Sequence, residues 1–185
     1  MKALFRTAMP DFPFHPFPEH RTKRLLLREL RLSDVPAISK LRSDEAVNRY
    51  LGRPREHDPA QAEAFIRKIQ TAVREGHSMY WAVCLQTEED LIGTVCLWNF
   101  MEDQQSAEIG YELLPTYQGR GLMQEAVEAV LTYAFRTLNL HQVLACTHPG
   151  NESSIKLLIK KGFRPVSDPE ASLTETFYAL KKQPA

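Results

Sequence analysis

The chain is expected to form a mixed α/β (α+β) domain. Its centre is one mostly antiparallel sheet of six or seven strands, flanked by about four helices. Three observations carry this. Three strand-like apolar runs succeed one another at 79–86, 91–100 and 106–114, the first two joined by the short linker "TEED". Two longer stretches, 58–75 and 121–138, carry apolar residues at helical spacing. Beyond residue 121 strands and helices alternate, so the sheet begins antiparallel and later acquires crossover helices.

Residues 9–20, "MPDFPFHPFPEH", hold four prolines and three phenylalanines, which excludes helix and central strand. Residues 1–20 are therefore read as an extended arm, and 21–185 as one domain. "TKRLLLREL" at 22–30 is the first strand. Ser33-Asp34 offers a cap for a helix over 35–43, with Pro36 in its first turn. Asp58-Pro59 starts a second helix, striped by Ala62, Phe65, Ile66, Ile69 and Val73 and stopped at Gly76. After the three strands comes the helix of 121–138, with Leu122, Val127, Val130, Leu131, Ala134, Phe135 and Leu138 on its apolar face. A strand at 141–148, a helix at 152–161 ended by Gly162, and strands in "FRPVSD" and "TETFYALKK" complete the chain.

With 23 basic and 23 acidic side chains, no cationic excess marks nucleic acid as a partner. No apolar run approaches the roughly 18 residues needed to cross a bilayer, and the first residues lack the apolar core of a secretory signal. Cys84, Cys96 and Cys146 form no C-x-x-C pair and read as buried, reduced thiols of a cytoplasmic protein. His141, Cys146 and His148 match no zinc spacing, so no metal is expected. Trp81, Trp98 and Tyr111 read as core or cleft-wall residues.

The stretch "GYELLPTYQGRGLMQEAVEAVLTYAF" at 110–135 places Gly119 and Gly121 between a strand and a helix. A helix start leaves its first N–H groups unpaired and carries partial positive charge. Glycines let that backbone approach a ligand closely, which makes the corner a cradle for phosphate oxygens. Gln118 and Arg120 add side-chain donors. The alternative is a sharp corner and nothing more. The P-loop pattern is absent, and the dinucleotide fingerprint fails at Gln124.

These residues resemble the GNAT superfamily of N-acetyltransferases, whose acetyl-CoA pyrophosphate motif reads Q-x-x-G-x-[GA]. Here it stands as Gln118-Gly119-Arg120-Gly121-Leu122-Met123, with Met123 in place of the usual small residue. The RimJ/RimL-like branch of ribosomal-protein alanine N-acetyltransferases tolerates larger residues there, and "YQGRGLMQEA" is similar to that branch. "AEIGYELLP" and "THPGNESSIKLLIKKGF" extend the likeness, which covers about residues 22–180. The resemblance implies a bulged strand at 106–114 that splays from the strand at 141–148. The pantetheine arm of acetyl-CoA would then pair with backbone freed near Leu113 and Leu114. A backbone N–H there can polarise the thioester carbonyl and hold the developing oxyanion.

Direct aminolysis of a thioester needs a neutral amine and a protonated leaving thiol. Glu108, Gly110 and Glu112 share one strand face. Some GNAT branches place a general base in the A-E-I context of Ala107-Glu108-Ile109, so Glu108 is the first candidate and Glu112 the second. Either carboxylate could instead pair with an arginine or meet solvent. The tyrosine that many family members use for the leaving thiolate is replaced here by Leu158. In RimL-like enzymes the serine of N-x-x-S serves, which is Ser154 here; the alternative is a hydroxyl bonding the helix N-terminus. Asn151 reads as helix cap and pantetheine contact. Two function classes remain. One is an acetyl-CoA-dependent N-acetyltransferase, monomeric or homodimeric, acting on a protein N-terminus or a small amine such as an amino acid, polyamine or drug. The other is a catalytically silent acyl-CoA-binding module. The acceptor pocket is expected between the first two helices and the loops 48–58 and 166–174.

Overall fold

In a computed structural model, residues 16–101, 105–167 and 172–183 are described. Among them the elements run β1 (His20–Arg21), β2 (Leu25–Glu29), α1 (Val35–Ser43), α2 (Glu45–Asn48), α3 (Pro59–Arg74), β3 (Ser78–Leu85), β4 (Leu91–Met101), β5 (Ser106–Leu113), α4 (Leu122–Arg136), β6 (Gln142–Thr147), α5 (Glu152–Lys160), β7 (Arg164–Val166) and β8 (Thr176–Lys181). One sheet holds all eight strands in the order β1-β2-β3-β4-β5-β6-β8-β7. Every pairing is antiparallel except β5 with β6. This is the mixed, mostly antiparallel architecture read from the sequence. Two elements escaped that reading, the two-residue β1 and the four-residue α2, because neither is long enough to show a periodic pattern. Asp44 holds α2 by accepting the Val47 N–H at 2.9 Å.

Helices cover the sheet on both faces, and period-two alternation divides the apolar residues between them. Leu27, Trp81 and Val95 face Val127, Val130 and Leu158 on one side. Their neighbours Leu26, Tyr80 and Ala82 face Ile38, Ala62 and Ile66 on the other. In α3, the Asp58 carboxylate accepts the Ala60 N–H, and Gln61 Oε1 accepts the Asp58 N–H in return. Ala62, Ile66 and Val73 are its buried stripe.

Two expectations need correction. Asp34 stands at the N-cap of α1, but its side chain makes no cap bond. Its carboxylate instead takes the Arg28 guanidinium at 2.7 and 2.8 Å and the Arg31 N–H at 2.8 Å. Arg28 is 2% exposed, and a buried cation without a partner costs far more than a missing cap. Cys146 is exposed, whereas Cys84 is buried and Cys96 half-buried. Alternation along β6 buries Val143, Ala145 and Thr147 and turns Cys146 to the opposite face.

Residues 1–15 of the proline arm lie outside the described residues. From Phe17 onward the arm is fastened to the domain. Phe17 packs on Trp81 with ring centroids 5.7 Å apart, and Trp81 Nε1 donates to the Pro18 carbonyl at 2.7 Å. The expected boundary at residue 20 falls inside β1.

Candidate active site

The parallel pairing of β5 with β6 is short. Ser106, Ala107 and Glu108 register with Gln142, Val143 and Leu144, and there it stops. On its other side β5 stays paired with β4 as far as Leu113. The sheet therefore opens between β5 and β6 over the remainder of both strands. The Leu114 N–H donates to Ile92 on the β4 side at 3.0 Å. By alternation the N–H groups of Tyr111 and Leu113 point into the opening. Not every backbone group expected to be free is so, since the Leu113 carbonyl accepts Gln118 Nε2 at 2.9 Å. The expected bulge also lies elsewhere. The register breaks in β4, between Trp98 and Met101, where Asn99 adopts a φ of 49°. That break aims Asn99 Nδ2 at Glu108 Oε1, 2.7 Å away.

The corner after β5 requires its glycines. Gly119 and Gly121 have φ of 71° and 70°, a region that costs an L-residue roughly 1–2 kcal/mol. A Cβ at Gly119 would meet no protein atom within 4 Å. Gly121 is the N-cap of α4 and gives it no side-chain bond, so the first N–H groups of the helix lack protein partners on that account. This donor set fits an anionic ligand. The Met123 side chain is buried in the core beside Leu122, which explains how a large residue is tolerated in the turn. A second layer holds the corner. Glu125, in the first turn of α4, accepts Thr22 Oγ1 at 2.6 Å, the Arg24 N–H at 2.8 Å and Arg24 Nε at 2.7 Å. Arg24 Nη1 also donates to the Arg120 carbonyl at 2.9 Å.

A cavity of about 570 Å³ connects the corner with the opening in the sheet. Glu112, Leu113, Gln118, Gly119, Gly121, Leu122, Met123, Asn151 and Ser154 all line it, together with Tyr111 and with Tyr50 from the segment after α2. Leu114, Arg120 and Glu108 do not. Leu114 is buried, Arg120 is exposed beside Tyr117, and Glu108 lies further back on β5. Tyr111 and Glu112 are neighbours on opposite faces of β5, so the cavity passes through the sheet. Tyr50 stacks on His148 with centroids 5.2 Å apart. This ties the segment after α2 to the loop between β6 and α5.

The two glutamates have different surroundings. Glu112 is held bidentately by Arg53, both contacts at 2.7 Å, and Arg53 Nε donates to Asn48 Oδ1 at 2.8 Å. This is the arginine pairing that the sequence left open for it. Glu108 has no cationic partner among the described residues. Burial raises its pKa, against the opposing hydrogen bond from Asn99. On the other face Ser154 Oγ lies 2.9 Å from the Tyr111 hydroxyl. Burial pushes the Tyr111 pKa up to about 12. Asn151 caps α5 by accepting the Ser154 N–H at 3.3 Å and Ser153 Oγ at 3.0 Å. Leu158 is fully buried.

Sequence reasoning missed the Tyr111–Ser154 contact, the Arg53 clamp and the Asn99 bond. Only Tyr111 had a local signal, being set between two glutamates beside the expected opening. Trp98, expected in the core or cleft wall, is 38% exposed. Among the described residues no group of His, Cys, Asp and Glu is arranged to hold a metal. None of their helices is long and apolar enough to cross a membrane.

A profile of the family described as acetyltransferase (GNAT) domain matches residues 24–164. The uncharacterized N-acetyltransferase YoaA of Bacillus subtilis is 32% identical over 148 residues, 80% of this chain and 84% of its own length. The [ribosomal protein uS5]-alanine N-acetyltransferase of Escherichia coli is 29% identical over 106 residues, 57% of this chain and 55% of that protein. Mycobacterium smegmatis RimJ, solved in complex with CoA-disulfide, superposes with a TM-score of 0.72 at 21% identity, covering 85% of this chain and 81% of that one.

Proposed function

The chain belongs to the GNAT acetyltransferase family, and on that premise we propose that it transfers the acetyl group of acetyl-CoA to a primary amine by direct attack. One observation carries the reading: a single cavity leads from an uncapped, glycine-bearing helix start through the opening between β5 and β6. Its 570 Å³ or so falls in the ordinary range for small-molecule sites.

In this reading Gln118 and the backbone of 119–123 hold the pyrophosphate, with Arg120 at its edge. The N–H groups of Tyr111 and Leu113 face the opening and suit a pantetheine arm or a polarised thioester oxygen. Asn151 keeps α5 in place beside it. Ser154 supplies a proton to the departing sulfur. Glu108, set back from the cavity lining, is the base through an intervening water, with burial raising its pKa and no cationic partner among the described residues. Glu112, neutralised by Arg53, shapes the acceptor side. The uS5-alanine relative makes a protein α-amine the first acceptor to try, and chemistry agrees. An α-amine has a pKa near ~7.7–8.0, against ~10.4 for lysine, and needs less help from a base. The buried thiol of Cys84 suits a reducing cytoplasm.

The test is a screen of purified protein with acetyl-CoA, monitoring free thiol release. The panel holds peptides with open and blocked N-termini, amino acids and polyamines. Release that requires an open amine supports transfer. Tight acetyl-CoA binding with no release on any amine would sink it.

A further inference from the structure

Resting on the acetyl-transfer reading, we propose that Tyr111 is a positioning residue that sets the hydroxyl rotor of Ser154, so that the Ser154 proton points into the cavity. Three observations carry this. The two oxygens lie 2.9 Å apart. Tyr111 is on the stretch of β5 that β6 leaves unpaired and Ser154 on the first turn of α5, so the contact joins β5 to α5 beside the opening. Among the described residues neither hydroxyl has another hydrogen-bond partner.

Each hydroxyl carries one proton, and only one of the two can lie in the shared bond. A phenol is the stronger acid and the better donor, while an alkyl hydroxyl oxygen is the better acceptor. Tyr111 therefore donates, and the Ser154 proton is left to face the cavity. The Tyr111 pKa, pushed up to about 12, keeps the phenol protonated throughout the working range.

The balance of the step is simple. The amine nitrogen forms the new N–C bond, the C–S bond breaks, and sulfur leaves with the electron pair. Ser154 gives sulfur its proton and regains one from solvent, to which the attacking nitrogen has lost one through its base. Tyr111 keeps its own proton throughout and only holds the Ser154 oxygen. Without Tyr111, the Ser154 proton is free to turn toward other acceptors, and fewer encounters present it to sulfur. The device also gives a reason why this chain manages with Leu158 on the helix. Its phenol comes from the strand and acts through the serine.

The test is a double-mutant cycle with Tyr111→Phe, Ser154→Ala and the pair. It uses acetyl-CoA and an amine that the wild type accepts, with acetyl-CoA affinity and Tm measured for each protein. Tyr111→Phe is expected to lower kcat at least fivefold and to leave acetyl-CoA affinity within twofold. In the Ser154→Ala background it should cost nothing further, because the residue acts only through Ser154. Losses that multiply across the cycle, or an unchanged kcat in folded Tyr111→Phe, overturn the assignment while leaving acetyl transfer standing. A folded wild type that does not bind acetyl-CoA overturns the acetyl-transfer reading, and this inference with it.

Discussion

Single residues decide what the site can do. Glu108 and Glu112 have the same side chain on the same face of β5, yet Arg53 holds one as an ion pair and burial raises the pKa of the other. If Glu108 is the base, Glu108→Gln should lower kcat/KM by roughly 10²–10⁴ at neutral pH. High pH should recover part of that by supplying neutral amine, and Glu112→Gln should do less. The same substitution has a stability signature. A carboxyl with a raised folded-state pKa binds more protons folded than unfolded. Its contribution is therefore full below the ordinary value near ~4.3 and falls as pH rises through the folded pKa. Glu108→Gln should remove that slope, so a Tm at pH 7 equal to or above the wild type is expected. Gly119 offers a second test at this scale. An alanine there meets no protein atom and strains only φ, at roughly 1–2 kcal/mol. If pyrophosphate rests on the turn, Gly119→Ala should weaken acetyl-CoA binding at least tenfold, or about 1.4 kcal/mol. Unchanged affinity by calorimetry would take the turn out of the binding site.

At the scale of elements, the start of α4 depends on the chain just before β2. Burial opposes ionisation of Glu125, but the bonds from Thr22 and Arg24 outweigh it and lower its pKa. A carboxylate with a lowered folded-state pKa stabilises above the ordinary range, and that contribution is lost as pH falls through the folded value. Glu125→Ala should therefore cost about 1–2 kcal/mol at pH 7, at the low end of charged hydrogen bonds because Arg24 is partly exposed. The difference from wild type should shrink on acidification, as measured by Tm against pH. Because Arg24 also holds the Arg120 carbonyl, acetyl-CoA affinity should fall as well. A stability loss with full affinity would mean that the corner keeps its shape without the clamp.

Among the described residues the molecule is a sheet packed on both faces whose strands part between β5 and β6. An opening of this kind leaves N–H groups without sheet partners at Tyr111 and Leu113, and a ligand can supply them. Hydrogen exchange at these two amides should slow when acetyl-CoA is added, more than at Glu112, which faces β4. Binding to the folded state alone should also raise Tm. At a hundredfold excess over Kd the gain is about 2.7 kcal/mol, or roughly 5–10 °C for a domain of this size. Exchange that slows everywhere except at the opening would place the ligand elsewhere.

Local chemistry in the sequence determined the mixed α/β plan, the Asp58 and Asn151 caps and the glycine corner. Each depends on residues within a turn or two of one another, where periodicity and backbone preference act directly. Tertiary structure alone decided the partners. Asp34 looks like a cap and serves Arg28. Arg53, 59 residues from Glu112 in the chain, neutralises it, and Tyr111 reaches Ser154 across 43 residues. Such pairs depend on strand register and on how helices and loops dock over the sheet, where a shift of one residue turns a side chain to the opposite face. No local pattern encodes that alignment, because it is fixed only when the whole core packs.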